Sequence, residues 1–273
     1  MSLQQPGLAL SIRQWKALLA IYWQDGLAYR AQGFIWLLTD VVTAIIMPQV
    51  WIAAGKGQAI QGYSSGDFVV YYLFMLLLTS FITSHFMWDI SYEIREGIIA
   101  NHLVRPISYF QFTFVRNLAW RTVRAGLFLP LMLLFGWFYL PHISNLTLYP
   151  TPQFFLAVIL GHTLSLTFVL AMSMIALFTQ EAQSIFELYY APFLFLSGQI
   201  FPVDIMPAWV KSVALWTPFY YTVAAPTEML IGKITPDKAW PILLTQIAWI
   251  VGSYLLFRIL FQAGMKRYAS VGL

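Results

Sequence analysis

Cysteine is absent from all 273 residues. That removes disulfides, thiol nucleophiles and cysteine metal sites, and leaves the redox compartment open. Charge is scarce: Asp, Glu, Lys and Arg make up 10% of the chain, against about 25% in soluble domains. With 60% hydrophobic residues and a mean hydropathy of +0.71, most of the chain suits lipid rather than water. Catalytic signatures are lacking too. Gly55-Lys56-Gly57 is a decoy, because a phosphate-cradling loop needs G-x-x-x-x-G-K-[ST] after a strand. No Asp-rich metal cluster and no nucleophile–base spacing occurs, so we expect no enzyme and no cofactor or metal bound by this chain. Residues 1–30 contain no basic start followed by an apolar run and a small-residue cleavage site. The first span is therefore expected to double as the insertion signal.

What is present is aromatic and apolar. Aromatics reach 18%, with 11 Trp, as in the belts that line membrane interfaces. Between long apolar runs lies one polar island, Ser91–Ser108, holding Glu93, Arg95, Glu96, Asn101, His102 and Arg105. Ile94, Ile98, Ile99 and Leu103 recur between the charges, the stripe of a short amphipathic helix over 92–104. It closes on Arg105-Pro106, where the residue before proline is disfavoured in helix.

The chain order predicts an all-α polytopic membrane protein, a single transmembrane domain over 1–273 with six spans. Residues 8–30 place Leu8, Ile12, Trp15, Leu18, Leu19 and Tyr22 on one helical face and Arg13, Lys16 and Gln24 largely between them. This is either a helix lying in the interface or one packed on other protein. Spans follow at 31–54 and 68–88, the second reaching roughly 30 Å at 1.5 Å per residue. A long helix over 110–140 starts with a foot of Arg116, Arg121 and Arg124, expected in water or headgroups, and carries Pro130. The fourth and fifth spans are 154–178 and a short 185–201, and the last is 240–261. Between the fifth and the last, Pro202, Pro207, Pro218, Pro226 and Pro236 cut 201–238 into segments too short to cross. They fit two re-entrant helices over 206–230, a geometry tolerated only under protein or water cover. Asn145-Leu146-Thr147 matches the glycosylation sequon weakly.

Six spans put both termini on one side. That side holds eleven of the 15 Lys and Arg residues, every arginine among them, and leaves Lys56, Lys211, Lys233 and Lys238 opposite. The positive-inside rule makes the arginine side cytoplasmic, in the plasma membrane, the inner membrane of a bacterium. The net charge of +4 thus tracks topology, and we expect no nucleic-acid partner. Membrane lipid is the expected surround.

Ionisable groups inside the spans are costly, about 2.5–3.5 kcal/mol at bilayer centre on insertion scales. Asp40, flanked by Thr39 and Thr43, therefore needs a partner, a polar cavity or a proton, and His162 is one possible mate. Glu187 and Glu228 are weaker candidates of the same kind. An ion-coupled secondary transporter using Asp40 and His162 is the alternative function, although such folds usually show two broken helices in repeated halves and this chain shows one broken region.

The order Leu196-Ser197-Gly198-Gln199-Ile200-Phe201-Pro202, then Met206-Pro207-Ala208-Trp209, then Thr217-Pro218-Phe219-Tyr220-Tyr221 resembles the ABC-2 type permeases, the six-helix membrane subunits of type V ABC exporters. Gly97 with Leu103-Val104-Arg105-Pro106, and Arg267-Tyr268-Ala269-Ser270-Val271-Gly272, are similar to a compact branch of that family. The resemblance implies a half-transporter that pairs with a second permease subunit, the same chain or a related one. Separate ATP-binding subunits, carrying ATP and Mg, would dock on the cytoplasmic side. The island would be the coupling helix, with Glu93, Arg95, Glu96, His102 and Arg105 as docking residues. Residues 8–30 would be the interfacial helix, and spans one, two and five would line the path. Phe34, Trp36, Asp40, Met75, Phe81, Met87, Phe193 and Phe195 are the expected lining, which suits an amphiphilic or lipid-like substrate exported outward. Phe201, Pro202, Pro207, Pro218 and Tyr220 would form the outer gate.

Overall fold

The computed structural model describes residues 11–28, 30–105, 107–143 and 147–268; between residues 30 and 40 it describes the backbone and the side chain of Ile35. Leu8, the Asn145-Leu146 part of the sequon and the tail from Ala269 lie outside the described residues. Thirteen α-helices follow in order: α1 Ile12–Ala28, α2 Arg30–Gly55, α3 Ser65–Ile82, α4 Met87–Arg95, α5 Ile99–Leu103, α6 Tyr109–Phe138 and α7 Leu140–Ile143, then α8 Pro152–Ser173, α9 Ala182–Leu196, α10 Ala208–Trp216, α11 Phe219–Thr222, α12 Ala224–Leu230 and α13 Pro236–Met265.

Local chemistry sets the starts. Ser64 Oγ accepts from the Asp67 amide at 3.1 Å while Asp67 accepts from the Ser64 amide at 2.8 Å, a capping box that opens α3. Ser108 and Gln111 do the same for α6. Thr151 with Pro152 opens α8, and Thr235 with Pro236 opens α13, because proline fits the first helical turn. The Gly55-Lys56-Gly57 decoy is the turn that ends α2, with Lys56 and Gly57 both at positive φ.

Among the described residues four segments are long and apolar enough to cross a membrane: Ser65–Arg95, Tyr109–Phe138, Pro152–Leu177 and Pro236–Met265. The last pairs closely with the third, and α3 packs between α2, α6 and α8. Two cores result. At one end Tyr71, Tyr72 and Met75 of α3 pack with Ala157 of α8 and Val223 and Met229 near α12. At the other, the island end, Ile90 and Ile99 pack with Phe112, Leu170 and Phe257. Large apolar side chains such as Leu133, Trp137, Leu244, Val251 and Ile259 stay exposed on the outer faces of α6 and α13, as lipid-facing surfaces require.

Three features depart from the sequence reading. The helix expected over 92–104 is two helices, α4 and α5, parted at Gly97, whose φ of +73° is a conformation open mainly to glycine. Leu103 is exposed and leaves the apolar stripe, while Ile94 and Ile99 stay buried. Second, the fifth apolar run is α9, 15 residues long and about 22 Å at 1.5 Å per residue, short of a hydrocarbon core of about 30 Å.

Third, the basic foot of α6 does not stand in water. Arg121 and Arg124 are 2% and 7% exposed. Both face into the bundle, near His85, and Arg121 also near His162 of α8. On another face α1 lies along that stretch of α6: Trp15 meets Phe114 edge-on at 6.2 Å and Tyr22 meets Phe112 at 5.6 Å. A Cβ on Gly26 would sit 3.3 Å from Trp120, so α1 approaches through its glycine. Ile12, Ile21 and Trp23 remain exposed on its other side. Of the two readings of residues 8–30, packing on protein describes the face that α1 turns to α6.

Candidate functional site

The island end is held to the bundle by a polar clasp. Arg116 of α6 donates to Glu93 of α4, and the Tyr109 hydroxyl donates to the same carboxylate at 3.4 Å. The Arg116 guanidinium also lies 4.9 Å from the centre of the Phe112 ring. Glu93 is thus satisfied within the chain and is not presented outward as a docking acid. His102 turns inward as well, its ring 4.1 Å from that of Phe112. Burial lowers the imidazole's proton affinity below the ordinary value, Arg105 and Arg116 add to the effect, and Glu93 opposes it. The shift favours the neutral ring.

What the island does expose is a mixed surface. Arg95, Glu96 and Arg105 are exposed, and beside them Val104 is 86% and Tyr92 52% exposed. Val104 and Tyr92 were missed by charge-based reading. An apolar residue next to the arginine–proline corner was the available signal.

The break between α3 and α4 is the second feature of this end. Residues 83–86 leave the helix, and the Ser84 amide donates to Ser165 Oγ of α8 at 2.8 Å. A buried backbone donor freed by the break is satisfied across the interface, as burial demands. The α4–α5 pair is therefore jointed to α3 and braced by α6 and α8.

At the far end hydrogen bonds join α2, α3 and the segment that follows α9. Trp51 of α2 donates its indole N–H to the Tyr72 hydroxyl at 2.9 Å, and that hydroxyl donates to the Ile200 carbonyl at 2.7 Å. Tyr71 donates to the Gly198 carbonyl at 2.8 Å. Gly198 has φ +79°, and a Cβ there would fall 2.5 Å from the Tyr71 hydroxyl and 2.9 Å from Ala224 Cβ. Phe201 meets Trp51 edge-on at 6.0 Å and lies 6.2 Å from Phe195. Pro202 and Pro218 are buried and Pro207 is exposed. Tyr220, 6% exposed, donates to Glu228 at 2.7 Å. Lys211 binds Asp204, and Lys233 binds Asp67 at 3.0 Å, so two of the four far-side lysines are engaged by acids. Of the expected gate residues, Phe201 packs on Trp51 of α2, and Tyr220 lies in one buried cluster with Val203, next to Pro202.

Those expected path residues whose side chains are described do not share one surface. Met75 and Met87 are 3% and 0% exposed, each inside a core. Phe193, 3% exposed, stacks among Tyr189, Tyr190 and Phe219, whereas Phe195 is 46% exposed. Phe81 stacks on His162 at 5.1 Å, and its carbonyl lies 3.0 Å from His162 Nδ1. His162 is accordingly a packing residue of the α3–α8 contact. The side chains of Phe34, Trp36 and Asp40 lie outside the described residues. Glu187 is exposed on α9. Among the described residues no group of three or more His, Asp or Glu side chains is arranged to hold a metal ion.

Residues 37–272 match the profile of a family described as ABC-2 family transporter protein. No protein of curated function matches the chain.

Proposed function

The chain belongs to the ABC-2 family of transporter proteins, and on that premise we propose that it is the export permease subunit of an ATP-binding-cassette transporter. Its membrane-crossing helices would be α2, α3 with α4, α6, α8, α9 and α13. α9 would be a short crossing, and α10–α12 would be re-entrant helices beside it. The excess of arginine at the island end makes that end cytoplasmic, in the inner membrane of a bacterium. Two membrane subunits, two copies of this chain or this chain and a relative, would face each other. Separate subunits carrying ATP and Mg would dock below.

In this reading force enters through α4 and α5. Their exposed surface, Arg95, Glu96, Val104 and Arg105, offers a partner both charge and apolar area. The clasp of Glu93 with Arg116 carries displacement of α4 into α6, and the joint at 83–86 lets α4 tilt without dragging α3. Closure of the ATP-binding subunits would bias two packings of the bundle, which is all a ligand-driven switch requires. At the far end the segment from Gly198 to Tyr220 would act as the gate. The aromatic surfaces near it, Phe195 and Phe201, suit an amphiphilic or lipid-like substrate.

The observation that carries the proposal is the pairing of the family match with an island whose internal charge is satisfied and whose remaining charge is exposed. Reconstitution tests it. The chain is purified gently from native membranes, its partners are identified, and ATP-driven export is followed in proteoliposomes. Co-purification of an ATP-binding subunit and ATP-dependent transport are expected. Full transport driven by a proton gradient with no nucleotide would overturn the reading.

A further inference from the structure

Glu228 has no exposed surface, and among the described residues it is the acidic side chain of which that is true. It sits on α12, inside the far-end assembly. Tyr220 donates to its Oε2 at 2.7 Å, while Oε1 is buried with no hydrogen-bond partner among the described groups. The charges around it are engaged elsewhere. Lys211, on α10, is taken by Asp204, and Lys233 by Asp67 of α3 and the Gly62 carbonyl. On α3, Tyr71 is committed to the Gly198 carbonyl. The Tyr63 hydroxyl, on the loop before α3, is buried and unpartnered like Oε1. On α8 the titratable side chain is His162, held at the Phe81 carbonyl. α13 contributes the neutral Gln246, and its Asp237 and Lys238 are exposed at the helix start.

A carboxylate in such a place lacks both water and a counter-charge, and one phenol donor does not replace them. A neutral carboxyl has the opposite fit, because its own proton gives the buried group a donor. Burial, reinforced by Asp204, pushes the Glu228 carboxyl up to about 8, against the Tyr220 donation and Lys211.

We infer that Glu228 is a proton-binding site whose neutral form lets α12 pack against α3, α11 and the Gly198–Met206 segment, and whose loss of that proton to water loosens this packing. The site belongs to the folded far end itself and stands whatever the chain transports.

Linkage fixes the size of the effect. A carboxyl that ionises near 4.5 when the region opens and near 8 when it is closed makes the open fraction rise about tenfold per pH unit between those values, then level off. The test is made on the full chain in lipid nanodiscs. Infrared spectroscopy should show a protonated carboxyl band that persists at pH 7, halves near pH 8 and is missing in Glu228→Gln. Hydrogen exchange of residues 198–206 and 224–230, corrected for intrinsic rates, should quicken about tenfold per unit from pH 5.5 to 7.5 and be flat in Glu228→Gln. If that variant does not fold, Tyr220→Phe decides: loss of a donor to the ionised form must move the infrared midpoint upward. A band already lost at pH 6, equal exchange slopes in wild type and Glu228→Gln, or an unmoved or lowered midpoint in Tyr220→Phe would each overturn the inference.

Discussion

Glu93 on α4 and Arg116 on α6 form an ion pair across the joint between the island and the bundle, with side chains 12% and 24% exposed. A pair at that depth gains from reduced screening and is costly to halve, because the surviving charge keeps its desolvation penalty. We expect Glu93→Gln and Arg116→Met each to lower stability by about 1–3 kcal/mol, and the double variant to cost less than the two single losses combined. Thermal unfolding of the four proteins checks this. Additive losses would mean that the pair is not a unit. In the proposed ATP-driven exporter, each single variant should also lower export per ATP hydrolysed.

The exposed side of the island makes the complementary prediction. Glu96→Ala, Arg105→Ala and Val104→Asp touch no buried contact and should leave the unfolding temperature within about 0.5 kcal/mol equivalent of wild type. They should weaken co-purification of the ATP-binding subunit, Val104→Asp most, since an unpaired charge at a desolvated contact is a repulsive element. Normal pull-down and normal export in all three would remove α4–α5 from the docking surface.

How far the sequence reaches is visible in these same residues. The crossings that became α3, α6, α8 and α13 were legible because length and hydropathy alone define them. The division of the island was not: Gly97 is one glycine among 16, and nothing local announces that its φ is positive. The burial of Arg121 and Arg124 was invisible because it depends on α6 turning that face toward His85 and His162, residues distant in the chain. Glu228 was named only as a weak candidate. Its neighbours read as an apolar run with prolines, and no sequence pattern reports that Lys211 is spent on Asp204. The segments around Gly198 were recognised as a motif, yet the reason for the glycine, a tyrosine hydroxyl from α3 against its backbone, required coordinates.

That reason is testable. Gly198→Ala adds a Cβ into the Tyr71 hydroxyl and Ala224 at a position with φ +79°. Strain at φ of that sign and the overlap together should cost about 2–4 kcal/mol. Combining Gly198→Ala with Tyr71→Phe removes the nearest overlapping atom but not the backbone strain. The double variant should recover part of the loss, read as a partial return of the unfolding temperature. Full tolerance of Gly198→Ala would show that the 198–206 segment is not packed as described.

His102 sets a pH dependence at the island end. Its proton affinity is lowered in the folded chain relative to the ordinary 6.5, so the unfolded chain binds the extra proton more readily. Stability from this group is present above about pH 6.5 and is lost as pH falls below it. Unfolding temperature measured from pH 7.5 to 5 should fall in wild type and fall less in His102→Phe, which keeps the ring against Phe112. An identical pH slope in the two proteins would clear His102 of the effect.

Gln246 ties the short helices to the long ones. Its side chain, 0% exposed, sits on α13 and donates through Nε2 to the Ala157 carbonyl of α8 at 3.0 Å and to the Tyr221 carbonyl of α11 at 2.7 Å. The approach is close because Gly161 of α8 lies against the Thr222 carbonyl, where a Cβ would come within 2.5 Å. Tyr221 is at the end of α11, where carbonyls lack helical partners, so the amide supplies a donor that the backbone cannot. Gln246→Leu should fill the space and leave that carbonyl unsatisfied, at about 1–3 kcal/mol. Gln246→Glu should cost more, because a buried carboxyl must either take a proton, leaving one donor for two carbonyls, or bear the desolvation cost of a charge and repel both. The ordering separates the hydrogen bonds from simple packing. If Leu is neutral and Glu alone is harmful, shape holds α11 in place. If Leu and Glu both lower the unfolding temperature and quicken hydrogen exchange in 219–222, the donated bonds do.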